Sequence, residues 1–275
     1  MSETIQQPIP SNTLIATLDL LGVTQMICNA KDSNDLVNIY SSISKVYKLV
    51  QTQAAAMLLP VAERLLKKGS NAESVKKMCD AVEASIQSNY FSDTIVISLH
   101  SSDKKNFSRI STTFFFFYVK VITYKLFAHG FPVRGCIDVG DVLRGENLVI
   151  GKPYVNSLQK AERLEFSGVV VTDEAFKIYN NTMNDKARIV CPLSELPIPV
   201  KGGYVTAMCL NWLSQNEKSS AKILNCGIED LEQLLYEKFS ANGKVMGEAA
   251  VRKLSNTAMT VRAFLAQNKA LDRKV

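Results

Sequence analysis

The feature that most constrains the fold is a pair of aspartates, each placed in an apolar, strand-forming segment. Asp19 ends a run of β-branched and aliphatic residues that begins at Thr13, and Asp93 lies within the apolar segment 89–99. An ionised carboxylate beside a hydrophobic core is costly unless it is paired or binds a metal. We therefore expect two strands that bring Asp19 and Asp93 together as oxygen ligands of a hard divalent cation.

The alternative is that each aspartate caps the turn or helix that follows it. Capping explains Asp93 less well, because the apolar residues Thr94 to Ile97 follow directly and place Asp93 in mid-strand. In the metal interpretation, Mg²⁺ or Mn²⁺ would bridge substrate phosphates, activate a hydroxyl group and neutralise a leaving pyrophosphate. The turn at Gly22 enters a helix, and its backbone N–H groups are candidates to hold phosphate.

Hydrophobic periodicity predicts an α/β protein in which strands alternate with helices. The predicted strands are 13–19, 89–99, a hairpin of 133–142 with 148–150 around residues 144–147, and 168–172. The predicted helices are 33–69, 72–87, 154–166 and one that starts at Glu174 with Asp173 as its N-cap. Residues 107–129 predict a long apolar helix, either whole or with a strand-like start.

Three regions follow from these patterns. Residues 1–12 are polar and contain two prolines, which predicts a flexible leader. Residues 13–200 form the predicted catalytic α/β domain, and 201–275 form a predicted helical region packed on it, because 204–271 have a helical pattern.

Composition excludes several classes of protein. No apolar run reaches the roughly 18 residues that a membrane-spanning helix needs, and the N-terminus has no signal-peptide pattern. The 6 cysteines are scattered without a CxxC pair, which indicates reduced thiols in the cytoplasm and argues against structural zinc. A net charge of +6 suits an anionic small substrate, and no nucleic-acid-binding module is present. We expect a cytoplasmic protein without a membrane or nucleic-acid partner.

Four segments, in order, resemble motifs of the class III adenylate and guanylate cyclases. Leu18-Asp19-Leu20-Leu21-Gly22 is similar to the opening F-x-D-I-x-G-F, and Phe91-Ser92-Asp93-Thr94-Ile95 to the second metal-aspartate strand. The other two matches are 133–140 (R-x-G-[IL]-x-x-G) and 151–164 (G-x-x-V-N-x-A-x-R-L). The resemblance covers about residues 13–180.

This resemblance implies a ferredoxin or palm-type core with a mainly antiparallel sheet. It implies that Asp19, Asp93 and the Leu20 carbonyl hold two Mn²⁺ or Mg²⁺ ions. The turn at Leu21 and Gly22 is the candidate substrate contact, because its backbone N–H groups precede a helix. The substrate's 3′-hydroxyl would attack its own α-phosphate and release pyrophosphate. It also implies a head-to-tail homodimer with shared active sites.

The chain departs from the family at the transition-state cation. The family places an asparagine and an arginine four residues apart, whereas Asn156 is followed four residues later by Lys160. Moving the register to Arg163 makes its partner Gln159. Lys160 and Arg163 are therefore both candidate catalytic cations, and a lysine lacks the bidentate fork of arginine.

Candidate base-reading residues precede Asp93. Asn89 offers both a donor and an acceptor to a base edge, and Tyr90 would narrow the pocket against a purine. The alternative for Tyr90 is a core aromatic. Arg134 is a candidate ligand of phosphate or base, with an ion pair to Asp138 on the same strand face as the alternative.

The motifs are most similar to the prokaryotic branch that includes the Pycsar pyrimidine cyclases. This resemblance implies UTP or CTP as substrate, cyclic UMP or cyclic CMP as product, and a separate effector in antiphage defence. Two alternatives stay open: an inactive cyclase-like domain that senses a nucleotide or dimerises, and a nucleotidyltransferase that uses an external hydroxyl.

Overall fold

The computed structural model describes residues 11–101, 107–144, 149–185, 188, 191–213 and 228–272. Most of the predicted leader and the hairpin turn at 145–148 lie outside these residues. The strands are β1 Ser11–Leu20, β2 Ile86–Phe91, β3 Thr94–His100, β4 Val133–Arg144, β5 Val149–Ile150, β6 Gly168–Val171, β7 Leu193–Val200 and β8 Gly203–Leu210. The helices are α1 Val23–Cys28, α2 Ser33–Lys67, α3 Ala72–Ser85, α4 Arg109–Ala128, α5 Lys152–Arg163, α6 Asp173–Thr182, α7 Ile228–Ser240 and α8 Glu248–Asp272.

The first part of the chain forms a ferredoxin-like unit. Its elements follow the order β1, three helices, β2, β3, α4 and β4, and its strands lie in the order β2-β3-β1-β4. Each neighbouring pair is antiparallel. This is the split βαβ arrangement of a ferredoxin-like core. The predicted fold class, α/β with a mainly antiparallel sheet, is confirmed.

The sheet continues beyond β4. β6 pairs parallel to β4, β8 pairs antiparallel to β6, and β7 pairs antiparallel to β8 at the edge. The short strand β5 pairs only with the end of β4, which confirms the predicted hairpin. β4 is therefore the central strand that joins the ferredoxin-like unit to the rest of the sheet.

One face of the sheet packs on α2, α3 and α4. Its core includes Leu14 and Leu18 of β1 and Phe115 of α4, all fully buried. α4 is apolar on nearly every side, as expected for a helix enclosed in a core. By length and composition α4 could cross a bilayer, yet 72% of its apolar window is buried within the protein. It is the central core helix, and the predicted helix at 107–129 is confirmed.

The opposite face packs on α5 and on the C-terminal helices. A second core joins Cys136 of β4 and Ala161 of α5 to Leu235 of α7 and Phe264 of α8. A polar contact also holds the middle of α8, because the Ser167 N–H donates to the Thr257 hydroxyl at 2.8 Å. α7 and α8 are thus part of the packed structure of the described chain.

Three local predictions were wrong. Residues 203–210 form a strand rather than a helix, because pairing with β6 and β7 satisfies their backbone groups. The segment 89–99 contains a hairpin turn at Ser92 and Asp93, where Ser92 has a φ of 57°. The N-cap of α6 is Thr172, whose side chain accepts from the Ala175 N–H. The division of the chain near residue 200 stays a prediction.

Candidate active site

The sheet brings Asp19 and Asp93 to the same end of neighbouring strands. In the register of β1 and β3, Asp19 lies opposite Thr94, the residue that follows Asp93. The Leu20 N–H donates to the Asp93 carbonyl at 2.9 Å, which ties the end of β1 to the β2–β3 turn. Asp93 therefore lies in a half-buried turn and not in mid-strand. The structure nevertheless brings Asp19 and Asp93 to the same end of the sheet, as the sequence predicts.

Arg134 is the third charged residue at this end of the sheet. It lies opposite Asp19 on β4, and its Nε donates to Asp19 Oδ2 at 2.6 Å. Its Nη1 donates to the Glu162 carbonyl near the end of α5 at 2.9 Å, where a cation complements the helix dipole. Arg134 therefore links the candidate metal aspartate to α5.

The predicted alternative of an Arg134–Asp138 ion pair is wrong. The buried Asp138 carboxylate instead accepts from the Thr172 hydroxyl at 2.7 Å and from the Val139 N–H at 2.9 Å. These neutral donors satisfy Asp138 within the core. Arg134 pairs with Asp19 instead.

The environment of Asp19 raises the pKa of its carboxyl. Burial is the main cause, and the negative charges of Asp93 and Glu162 add to it. The hydrogen bond and positive charge of Arg134 act in the opposite direction without cancelling the effect. A cation beside this carboxylate would oppose the shift, because positive charge stabilises the ionised form.

The donor set fits Mg²⁺ or Mn²⁺. Among the described residues, no three His, Cys, Asp or Glu side chains come together as a metal site, so the candidate side-chain ligands at this end of the sheet are limited to Asp19 and Asp93. Mg²⁺ is commonly held by one or two carboxylates, with water and substrate phosphates completing its coordination. The backbone carbonyl of Leu20, adjacent to Asp19, is the further oxygen ligand that the resemblance to the cyclases implies.

The turn after Asp19 is built for close packing. The Leu21 N–H donates to the Pro132 carbonyl at 2.8 Å, so this amide is used within the protein and is not a phosphate donor. Gly22 has a φ of +87°, and a Cβ there would lie 2.8 Å from Cδ of Lys244. Glycine is required at position 22 both by the backbone conformation and by this contact.

Asn89 and Tyr90 project to opposite faces of the sheet. Asn89 lies opposite Val96, whose side chain belongs to the same face as Asp19 and Thr94. The Tyr90 ring lies 4.3 Å from that of Tyr47 on α2, and its hydroxyl donates to the Tyr47 carbonyl. Burial raises the pKa of Tyr90. Within one chain, Tyr90 therefore packs against the core, which was the alternative to a role in the base pocket.

The remaining predicted site residues lie on α5. Asn156 and Lys160, one helical turn apart, line a cavity of about 420 Å³ together with Asp138. Lys160 and Arg163 line a second cavity of about 280 Å³ over β6 and β8. The two cavities do not include Asp19 or Asp93. The described chain thus contains two groups of site residues, one around Asp19 and one on α5.

Sequence reasoning missed two hydroxyl groups that support the β2–β3 turn. The Thr24 hydroxyl donates to Asp93 Oδ2 at 3.3 Å, and the Tyr47 hydroxyl donates to the Ser92 carbonyl. Thr24 is close to Asp19 in the chain, and a small polar side chain at the start of α1 could have indicated a hydrogen bond to a nearby carboxylate. Tyr47 gave none, because its role depends on how α2 packs.

None of the known protein-family sequence profiles matches this chain, and no curated protein matches it in sequence. The adenylyl cyclase CyaB from P. aeruginosa matches in structure with a TM-score of 0.47 and 10% identity, covering 77% of this chain and 98% of its own. The guanylate cyclase domain of RhGC from Catenaria anguillulae, in complex with GTP, matches with a TM-score of 0.44 and 9% identity, covering 73% and 96%.

The catalytic core of a rhodopsin-guanylyl cyclase with converted specificity, in complex with ATPalphaS, matches with a TM-score of 0.45 and 9% identity. That match covers 74% of this chain and 96% of the other. The fold class assigned to this chain rests on the strand order and pairing described above.

Proposed function

We propose that this protein is a metal-dependent nucleotidyl cyclase that converts UTP or CTP into the 3′,5′-cyclic monophosphate and pyrophosphate. The observation that supports this best is the meeting of Asp19 and Asp93 at one end of β1 and the β2–β3 turn. The four ordered motifs of the sequence resemble the cyclases, and these two aspartates are the positions that the resemblance assigns to metal binding.

Asp19, Asp93 and the Leu20 carbonyl would hold two Mn²⁺ or Mg²⁺ ions. When bound, these ions would activate the 3′-hydroxyl and neutralise charge on the leaving pyrophosphate. The protein's own contribution is position. The β1–β3 pairing and the Thr24 hydroxyl hold the two carboxylates in place before substrate binds.

Arg134 would act as a ligand of the substrate phosphates. In the described structure its guanidinium neutralises Asp19 and is held by the Glu162 carbonyl. A cation bound to Asp19 would take over the neutralising role, and the guanidinium would then be available to a phosphate oxygen. An arginine suits this exchange, because its fork binds carboxylate and phosphate with the same geometry.

The resemblance to the cyclases implies an active site shared between the two chains of a homodimer. Asn156 and Lys160 line a different cavity from the region of Asp19 and Asp93. In a two-fold dimer each site would combine Asp19 and Asp93 of one chain with Asn156 and Lys160 or Arg163 of the other. Lys160 or Arg163 would stabilise charge on the α-phosphate, and Asn156 would position the ribose.

The pyrimidine preference depends on Asn89, which lies on the same sheet face as Asp19. Its amide would pair with the edge of the base. Tyr90 packs in the core of its own chain. It could therefore narrow the base pocket against a purine only indirectly, by fixing the position of β2. The cyclic product would activate a separate effector, as the resemblance to antiphage cyclases implies.

A second candidate function is an inactive cyclase-like domain that senses a nucleotide. The observation in its favour is that Asp19 has a cationic partner within its own chain, since Nε of Arg134 lies 2.6 Å from Asp19 Oδ2. Lys160 in place of the family arginine also favours it.

The test is to incubate the purified protein with Mn²⁺ and each of ATP, GTP, CTP and UTP, and to identify products by mass spectrometry. A cyclic pyrimidine monophosphate is the expected product, and Asp93→Asn should abolish it. A linear dinucleotide would instead indicate transfer to an external hydroxyl. Nucleotide binding without any product would favour the sensor.

A further inference from the structure

A small cavity lies beside the turn that follows the candidate metal aspartate. Its volume is about 140 Å³, and its polar lining residues are Gln25, Lys244 and Lys253. The other lining residues are Gly22 and six apolar residues, Leu21, Pro132, Phe239, Val245, Ala249 and Ala250. A water molecule occupies about 30 Å³ of liquid volume, so this space is large enough for a phosphate group. Gly22 on its lining belongs to the turn that follows Asp19.

The charge of Lys244 is used within the protein. Lys244 is buried, its ammonium donates to the Gly130 carbonyl at 2.5 Å, and it lies 4.8 Å from the centre of the Phe131 ring. Its aliphatic stem packs on Gly22. Lys244 therefore forms a wall of the cavity and supports the turn.

The position of Lys253 is set by the docking of α8 on the sheet. Thr257, one helical turn later on the same face of α8, accepts from the Ser167 N–H at 2.8 Å. The Ser167 hydroxyl in turn contacts both the N–H and the carbonyl of Val133, the residue before Arg134. These contacts fix the Lys253 face of α8 against the beginning of β4, beside the Arg134–Asp19 pair.

The surroundings of Lys253 are rich in positive charge. Burial, together with the charges of Arg134, Arg252 and Lys201, lowers its pKa, and Glu165 alone acts in the opposite direction. Glu165 is already bonded to Arg252 at 2.9 Å. Within the part of the chain that the structure describes, the ion pairs of 4.0 Å or less do not include Lys253.

We propose that Lys253 binds the terminal phosphates of the nucleoside triphosphate, and afterwards the released pyrophosphate, in the same chain that supplies Asp19 and Asp93. Lys253 is partly buried and lines this cavity, and Glu165, the carboxylate that acts on it, is bonded to Arg252. A polyanion in the cavity would stabilise the charge of such a lysine. This inference rests on the proposed function and deepens it. It gives α8 a role in holding substrate as well as in packing.

The test measures binding of inorganic pyrophosphate with Mg²⁺ by isothermal titration calorimetry, so that neither base nor turnover enters. Lys253→Met retains the apolar stem and is expected to weaken binding at least about 10-fold, in line with loss of a charge-assisted hydrogen bond. Lys253→Arg should restore binding to near the wild-type level. Lys76→Ala on α3, an exposed lysine, controls for net charge.

Equal pyrophosphate binding by wild type and Lys253→Met, or no binding by wild type, would overturn the inference. If Lys253→Met does not fold, as judged by circular dichroism, Lys253→Gln replaces it in the same titration. Lys253-dependent binding in a wild-type protein that makes no cyclic product would support the inference and overturn only the proposed function. Cyclic product together with pyrophosphate binding that does not depend on Lys253 would support the proposed function and overturn the inference.

Discussion

Arg134 and Asp19 face each other across β1 and β4, with Nε of the arginine 2.6 Å from Oδ2 of the aspartate. Both side chains are largely buried, at 18% and 13% exposure. The pair lies at the end of the sheet where Leu20 is bonded to the backbone of Asp93. If Asp19 binds a metal ion as proposed, this pair would connect the stability of the sheet to the occupancy of that site.

Arg134→Met should destabilise the protein by about 2 kcal/mol, because it leaves the buried Asp19 carboxylate without a cation. Millimolar Mg²⁺ should recover part of the loss by supplying positive charge at the same carboxylate. Urea unfolding with and without Mg²⁺ measures both effects. The double variant Asp19→Asn with Arg134→Met should be more stable than Arg134→Met alone, and a Mg²⁺ response that persists in it would contradict this explanation.

Asp93→Asn should reduce cyclase turnover by about 100-fold or more, since one ligand of the ions that stabilise the transition-state charge loses its negative charge. Its effect on stability should be small, because Asp93 is half-exposed in a turn. Initial rates and thermal unfolding of the same preparation check both points. Asp80→Asn on the exposed face of α3 is the matched control. Undiminished turnover in folded Asp93→Asn would remove Asp93 from the site.

Mixing two inactive variants should restore partial activity if the site is shared between chains. Asp93→Asn removes a metal ligand, and Lys160→Ala removes a cation from α5. A mixed dimer would retain one site that contains neither substitution. The measurement is turnover of the mixture after subunit exchange, compared with each variant alone. Activity of Lys160→Ala equal to wild type would move the catalytic role to Arg163, which the same experiment then tests.

Lys244→Met should raise the free energy of unfolding at neutral pH, because it removes a buried charge that destabilises the folded protein. Burial lowers the pKa of Lys244 from 10.5 to about 8. Between those values the unfolded chain binds more protons than the folded protein, so the contribution of Lys244 to stability rises with pH. The groups that face its ammonium are the Gly130 carbonyl and the Phe131 ring, and Lys253 shares its cavity.

The measurement for this prediction is urea unfolding of wild type and Lys244→Met from neutral pH to about pH 10.5, the ordinary pKa of lysine. The Met variant retains the stem that packs on Gly22, and its advantage in free energy of unfolding should shrink as the pH rises. A difference that does not change with pH would show that the hydrogen bond to Gly130 holds Lys244 fully charged.

Local sequence patterns predicted most elements of the ferredoxin-like unit. The aliphatic run before Asp19, the apolar length of 107–129 and the strand-forming 133–142 are strong signals, because each is buried along most of its length. The pattern failed at 203–210, where strand pairing with β6 and β7 overrode a helical appearance. It also missed the turn at Ser92, whose positive φ has no marker such as glycine.

By itself, the sequence determined that two aspartates adjoin strand-forming segments and that a sheet with a helical core would form, because burial of apolar side chains follows local periodicity. Only the tertiary structure decided which charges meet. The partner of Arg134 is Asp19 and not Asp138, and Asn89 and Tyr90 lie on different faces, because strand register sets which side chains are neighbours. The placement of Lys253 beside that pair likewise depends on how α8 docks, which local sequence does not encode.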